Sequence, residues 1–178
     1  QLAGPCLHLR NELTAAPHTG PIVETAPLER VWHGEDDTAA FARQLAAQPG
    51  IGNAFVTLHG DLGAGKTTLV RHLLRALGVP GRIKSPTYAV VEPYVTPCVQ
   101  VWHFDFYRFG DPREWEDAGL RDIFATPGLK LVEWPDKAAG MLPQADWVLH
   151  LQTLDDDVRE VVIEAPTAAG AALLQEVS

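Results

Sequence analysis

This chain of 178 residues lacks three features, and each absence excludes a class of protein. No apolar run reaches the ~18 residues that a membrane-spanning helix needs. No basic segment followed by an apolar stretch opens the chain, so we expect no signal peptide. No basic excess is present either, because the formal net charge is −9. Proteins that hold nucleic acid alone usually carry a basic excess, so we expect no stable DNA binding, and any nucleic acid to be held mainly by a partner. From the lack of a long apolar run we expect no membrane association.

Cysteine is also scarce. Cys6 and Cys98 lie far apart and form neither a metal-binding spacing nor a disulfide framework. We expect both to be reduced thiols in a cytoplasmic protein. The chain is 46% hydrophobic and 21% charged, which is typical of a packed globular domain.

The first part of the chain differs from the rest. Residues 1–28 contain four prolines and show no clear periodicity. We interpret them as a loosely ordered N-terminal extension and residues 29–178 as a single domain.

Apolar periodicity and turn residues divide the remaining chain into elements. Helices are predicted at 36–47, 66–77, 112–120 and 168–177. Strands are predicted at 54–58, 88–91, 99–106, 129–132, 147–151 and 158–163. This order indicates an α/β fold, with a mainly parallel central sheet, added antiparallel strands and helices on both faces.

A phosphate-binding pattern, G-x-x-x-x-G-K-[ST], occupies residues 60–67 between a predicted strand and a predicted helix. Gly60, Gly63 and Gly65 allow the backbone to wrap a phosphate without an intervening Cβ. The helix that begins near Lys66 directs its unpaired N–H groups at the same anion. Lys66 is expected to reach the β- and γ-phosphates, and the hydroxyl of Thr67 to ligate Mg²⁺. The pattern predicts a P-loop NTPase fold, and a glycine-rich turn without a ligand is the alternative.

The remaining loop residues, Asp61, Ala64 and Thr68, are assigned to nucleotide binding with the pattern residues. GTPases recognise guanine with an Asn-Lys-x-Asp segment, which this sequence lacks, and this favours ATP. P-loop enzymes hold Mg²⁺ with a further acid at the end of a strand. Asp105 and Glu133 each end a predicted strand, and spacing alone does not choose between them.

Other polar residues in the sequence are candidates for supporting roles in the predicted site. Ser85 and Thr87 surround Pro86 and are consistent either with a turn or with a switch segment near the γ-phosphate. His103, Tyr107 and Arg108 flank Asp105. The ordinary alternative for His103 and Tyr107 is a role in packing, and the alternative for Arg108 is an ion pair at the surface.

Five segments in this order resemble the TsaE (YjeE) family of bacterial ATPases. They are Gly60–Thr68, Lys84–Tyr88, Val91–Tyr94, His103–Arg108 and Val132–Pro135. The resemblance runs from about residue 30 to residue 151. Residues 1–28 and about the last 20 lie outside it.

The resemblance implies a function in tRNA modification. The family acts with the TsaB and TsaD proteins, which transfer a threonylcarbamoyl group to N6 of adenosine 37 in tRNA. Its members hydrolyse ATP slowly and depend on these partners, and they contact tRNA only through the complex.

The resemblance also implies roles for individual residues. The Mg²⁺ ligands correspond to Thr67 and Glu133, and Asp105 becomes a catalytic acid near the γ-phosphate. Lys66 and Glu133 are expected to be catalytic as well. The switch-like role falls on Ser85 and Thr87, and the acidic residue that contacts adenine corresponds to Glu35. Supporting residues are His103, Tyr107, Arg108 and Trp134.

Two other functions remain open. A small-molecule kinase would need an acceptor pocket and a lid with several arginines, whereas the arginines here are scattered. A nucleotide-gated binding module would use the ATP state to control docking, and turnover would be incidental.

Overall fold

A computed structural model of the chain describes residues 21–86, 90–117 and 119–178. The strands in these ranges are β1 Leu28–Trp32, β2 Phe55–His59, β3 Val91–Val95, β4 Gln100–Asp105, β5 Leu129–Glu133, β6 Trp147–Thr153 and β7 Arg159–Glu164. The α-helices are α1 Glu35–Ala46, α2 Lys66–Ala76, α3 Pro112–Asp117, α4 Leu120–Ala125 and α5 Ala168–Val177. Short 3₁₀ helices span Pro49–Asn53 and Pro135–Ala138.

All seven strands form one sheet, in the order β1-β7-β6-β2-β5-β4-β3. The four strands β6, β2, β5 and β4 are parallel, and β1, β7 and β3 pair antiparallel at the two sides. The predicted α/β architecture, with a mainly parallel centre and added antiparallel strands, is therefore confirmed. Because β2, β5 and β4 are parallel neighbours, their carboxyl ends meet at one edge of the sheet.

Helices cover both faces of the sheet, as predicted. Successive side chains of a strand point to opposite faces, and β2 shows this directly. Val56 and Leu58 pack with buried residues of α1, α2 and α5, whereas Phe55 packs with Phe124 of α4 and with other aromatic side chains. The loop that follows β2 is thus carried by a strand buried on both sides.

A buried carboxylate fixes the other end of β2. Asp146 Oδ2 accepts a hydrogen bond from the backbone N–H of Phe55 at 2.8 Å, and Oδ1 accepts one from the hydroxyl of Thr167 at 2.6 Å. The Thr167 oxygen in turn accepts the N–H of Gly170 at 3.0 Å and so caps α5. One side chain therefore joins the start of β2 to the start of the last helix.

Most predicted elements agree with the structure to within one or two residues, and four expectations need correction. The strand predicted at 88–91 is misplaced: residues 88 and 89 lie outside the described residues, and the strand found here, β3, spans Val91–Val95. β1 was not predicted, and Leu28, assigned to the extension, is its first residue. The single helix predicted at 112–120 is two helices, because Gly119 adopts a left-handed conformation (φ 64°) that begins α4. Cys98 is disulfide-bonded, so the expectation of a reduced thiol there is wrong; it is the only cysteine among the described residues.

The extension itself lies mostly outside the described residues. Residues 21–27 are described and have no regular secondary structure, although the N–H of Val23 donates to the carbonyl of Pro166 at 2.8 Å. The division into an extension and one domain stays a prediction. No helix within the described part of the chain has the length and apolar character to span a bilayer.

Candidate nucleotide-binding site

The loop between β2 and α2 depends on three glycines in left-handed conformations. Gly60, Gly63 and Gly65 have φ of 147°, 80° and 107°. At Gly60 a Cβ would also lie 2.5 Å from the carbonyl oxygen of Leu151, whereas at the other two it would meet open space. Backbone conformation alone therefore favours glycine at Gly63 and Gly65, and conformation together with close packing requires it at Gly60.

Lys66 is the first residue of α2, and its side chain turns back into the loop. Its Nζ donates to the carbonyl oxygens of Gly60 and Asp61, the latter at 2.9 Å, and lies 4.4 Å from the ring centroid of Trp134. Burial lowers the pKa of Lys66, and the carboxylates of Glu133 and Asp105 act in the opposite direction. The loop thus holds a cation among neutral oxygens at the amino end of a helix.

The two acids that sequence spacing did not separate are neighbours here. Asp105 ends β4, Glu133 ends β5, and the two residues are paired in the parallel register. The hydroxyl of Thr67 donates to Glu133 Oε1 at 2.8 Å, and His103 Nε2 lies 2.5 Å from Glu133 Oε2. Burial raises the pKa of Asp105, and the charge of Glu133 adds to this, although the N–H of Tyr107 donates to its carboxylate at 2.9 Å.

A cleft of about 310 Å³ lies between the loop and these acids. Ten of the predicted residues line it together: Gly63, Gly65, Lys66, Thr67, Thr68, Ser85, Asp105, Tyr107, Glu133 and Trp134. His103 lies beneath the cleft, buried against Glu133. One face of the cleft is therefore the loop with the start of α2, and the other is formed by the two acids and an aromatic pair, Tyr107 and Trp134, whose ring centroids are 5.0 Å apart.

The other predicted residues lie elsewhere. Gly60, Asp61 and Ala64 line a second cavity behind the loop, and Arg108 is exposed and does not line the cleft. Glu35 begins α1 and contacts His72 of α2, with 2.8 Å between Oε1 and Nε2. Thr87 lies outside the described residues.

Hydroxyl and carboxylate oxygens are the ligands that Mg²⁺ prefers, and Thr67 and Glu133 supply one of each beside the loop. Among the described residues, no group of three or more His, Cys, Asp or Glu side chains could hold a metal by itself.

Several features of the site were not predicted from the sequence. Leu62 lines the cleft although it is a variable position of the phosphate-binding pattern. Trp134 adopts a left-handed conformation, with φ of 56°, and this conformation has no sequence signal at a tryptophan. The second cavity, of about 410 Å³, holds His59 and His150, whose rings lie 4.9 Å apart. Their parallel register across β2 and β6 could be found only from the topology.

A strand, a left-handed glycine loop and a helix, with acids at the ends of adjacent parallel strands, define the P-loop NTPase class of α/β proteins. Comparison with known proteins agrees. The family model "Threonylcarbamoyl adenosine biosynthesis protein TsaE" matches residues 32–161, and the chain belongs to this family.

Individual relatives support the same assignment. The chain is 44% identical over 123 residues to the tRNA threonylcarbamoyladenosine biosynthesis protein TsaE of Haemophilus influenzae, covering 69% of this chain and 77% of that protein. It is 35% identical over 143 residues to the protein of that name from Bacillus subtilis, covering 80% and 89%. The crystal structure of Bacillus subtilis YdiB superimposes with a TM-score of 0.71 at 27% identity, covering 87% of this chain and 96% of that chain.

Proposed function

We propose that the chain binds ATP with Mg²⁺ in the cleft and hydrolyses it as a subunit of the machinery that makes threonylcarbamoyladenosine in tRNA. The observation that carries the proposal is the 2.8 Å hydrogen bond from Thr67 to Glu133, beside a loop of left-handed glycines. The names of the TsaE relatives support the pathway. The site chemistry supports a nucleoside triphosphate rather than an uncharged ligand, because the loop offers N–H groups and a buried ammonium.

Each residue of the cleft has a role in this proposal. Lys66 would exchange its carbonyl partners for β- and γ-phosphate oxygens, and Thr67 and Glu133 would hold the metal ion. When bound, Mg²⁺ neutralises charge on the phosphates. Asp105 orients the attacking water and accepts its proton, and a pKa raised by burial makes this carboxylate a better base. Ser85, which lines the cleft, is assigned to the γ-phosphate side together with Thr87.

Residues at the edge of the cleft complete the proposed site. Trp134 packs over the ammonium of Lys66 and against Tyr107, and this contact supports a role in holding the lysine. Glu35 is the proposed adenine contact, beside His72 on α2. Arg108 is exposed on the loop after β4 and is proposed to act when a partner completes the site.

The proposed partners are the TsaB and TsaD proteins, with tRNA bound through them, in the cytoplasm. The charge of the chain supports an indirect contact with tRNA, because 23 acidic residues outnumber 14 basic ones. Slow hydrolysis by the isolated subunit is expected because the described cleft has no arginine in its lining, and a partner can supply the missing charge.

Nucleotide binding is tested with Lys66→Ala. We expect this variant to weaken ATP binding, measured by isothermal titration calorimetry, because it removes the cation inside the loop. Lys137→Ala removes an exposed lysine of the 3₁₀ helix Pro135–Ala138 and is the matched control. Equal ATP affinities of the two variants would contradict the assignment of the loop.

Hydrolysis is tested by reconstitution with TsaB and TsaD, with ATP turnover and modified tRNA as readouts. Glu133→Ala and Asp105→Ala should abolish both together. If the variants keep ATP binding and full tRNA modification but lose hydrolysis, the chain is a nucleotide-gated module instead. Transfer of the γ-phosphate to a small acceptor without partner proteins would favour a kinase.

A further inference from the structure

His103 occupies an interior position in the sheet, on the face that carries the two acids. It lies on β4, between β3 and β5, and is paired in register with Leu131 of β5. Glu133 follows Leu131 by two residues, so its side chain is the diagonal neighbour of His103 on the same face. The side chain of His103 is 1% exposed and that of Glu133 is 2% exposed. Neither side chain can reorient without disturbing the core.

The imidazole and the hydroxyl of Thr67 hold the two oxygens of one carboxylate. Glu133 Oε1 accepts from Thr67 Oγ1 at 2.8 Å, and Oε2 lies 2.5 Å from His103 Nε2. The other ring nitrogen, Nδ1, is buried and has no hydrogen-bond partner in the part of the chain that the structure describes. A buried unpaired N–H is rarer and costlier than a buried unpaired lone pair. The hydrogen is therefore on Nε2, and His103 donates it to Glu133.

A histidine with one unsatisfied nitrogen is a costly choice for this position, because an apolar side chain would pack without leaving a polar atom unpaired. The N–H that it provides fixes the rotation of the Glu133 carboxylate and keeps Oε1 directed at Thr67. Partners of metal-ligating side chains commonly set the orientation and basicity of the ligand in this way. The geometry points to His103 as a positioning residue that fixes Glu133 for a divalent cation bound together with the nucleotide. This inference rests on the proposed function.

The test compares two variants, His103→Gln and His103→Asn, whose side-chain amide nitrogens lie at different distances from Cα. The side-chain nitrogen of glutamine is as many bonds from Cα as Nε2 of histidine, whereas that of asparagine is one bond short. The complex of each variant with ADP is titrated with Mg²⁺, and ADP binding is also measured in EDTA. We expect His103→Asn to raise the Mg²⁺ concentration for half-saturation about tenfold or more, with ADP affinity in EDTA unchanged. His103→Gln should restore most of the Mg²⁺ affinity, because it returns the donor to Glu133.

The outcomes separate a positioning role from a purely structural one. The inference would be overturned if ADP affinity fell equally in Mg²⁺ and in EDTA. It would also be overturned if the Mg²⁺ affinity of His103→Gln were no higher than that of His103→Asn. Thermal denaturation of both variants shows whether they fold. If only His103→Gln folds, the Mg²⁺ affinity of its ADP complex is compared with that of the wild type. A large loss of Mg²⁺ affinity overturns the inference, and an affinity close to that of the wild type supports it. Failure of the wild-type chain to bind ADP, or to respond to Mg²⁺, refutes the proposed function instead.

Discussion

Lys130 lies on β5 at the far side of the sheet from the cleft, and its charge is buried. Its side chain is 1% exposed, donates to the carbonyl of Thr126, and lies 5.4 Å from the ring centroid of Trp102. Burial lowers its pKa from 10.5 to about 8, and the nearby carboxylate of Asp146 offsets part of the shift. We predict that the stability of the fold depends on pH through this residue, and that Lys130→Met removes the dependence.

The sign follows from the two pKa values. Because the folded pKa is lower than the unfolded one, the unfolded chain binds the proton more tightly, and stability rises with pH between about 8 and about 10.5. Below pH 8, Lys130 is protonated in both the folded and the unfolded state, and the folded state is destabilised by the full free-energy cost of burying the ammonium. For these values, the wild-type free energy of unfolding should increase by about 2 kcal/mol between about pH 7 and about pH 9.5, relative to the variant.

The assay is urea denaturation of wild type and Lys130→Met across this pH range, and the quantity compared is the difference in their free energies of unfolding. Titration of other groups cancels in that difference. Lys137→Met, at an exposed lysine, should track the wild type at every pH. A difference between wild type and Lys130→Met that does not change with pH would refute the reasoning.

Further predictions concern glycine positions. Gly170→Ala should cost about 1–3 kcal/mol of stability in urea denaturation, because a Cβ there would lie 2.0 Å from the carbonyl oxygen of Asp146 and displace α5. Gly110→Ala, where a Cβ meets nothing within 4 Å, should change stability by less than about 0.5 kcal/mol, and similar curves for the two variants would contradict the packing argument. Gly60→Ala should lower both stability and ADP affinity, because a Cβ there would lie 2.5 Å from the carbonyl oxygen of Leu151. Unchanged ADP affinity of a folded Gly60→Ala variant would show that the loop tolerates this clash.

Strong local patterns made most of the fold predictable from sequence. The helix Ala168–Val177 was predicted with the same bounds, because its apolar residues recur at helical spacing after a capping threonine. β1 was missed because it is a short edge strand with two charged residues in five, and its partner, β7, is far away in sequence. The split of the helix at 112–120 depends on Gly119, whose left-handed conformation could not be distinguished from an ordinary helical glycine.

The site was only partly predictable, because part of its geometry depends on contacts between segments that are distant in sequence. The pattern at 60–67 carries its own geometry, so the loop could be located from residue types alone. Asp105 and Glu133 each end a strand, and only the register of β4 with β5 and the contact with Thr67 distinguish their positions. Nothing in the sequence indicates the left-handed conformation of Trp134 or the diagonal contact of His103 with Glu133, because both depend on how distant segments meet.

The strand that leads into the phosphate loop obtains both of its parallel neighbours, β5 and β6, from much later in the chain. The hydrogen bond that anchors its first residue, from Phe55 to Asp146, spans 91 positions. Contacts between distant residues slow folding, because a long loop must close before they form. During synthesis the glycine loop therefore emerges early but cannot be held in place until β6 has left the ribosome. We expect refolding to restore helical signal before nucleotide binding, and a nascent chain that ends before β6 to lack a binding site.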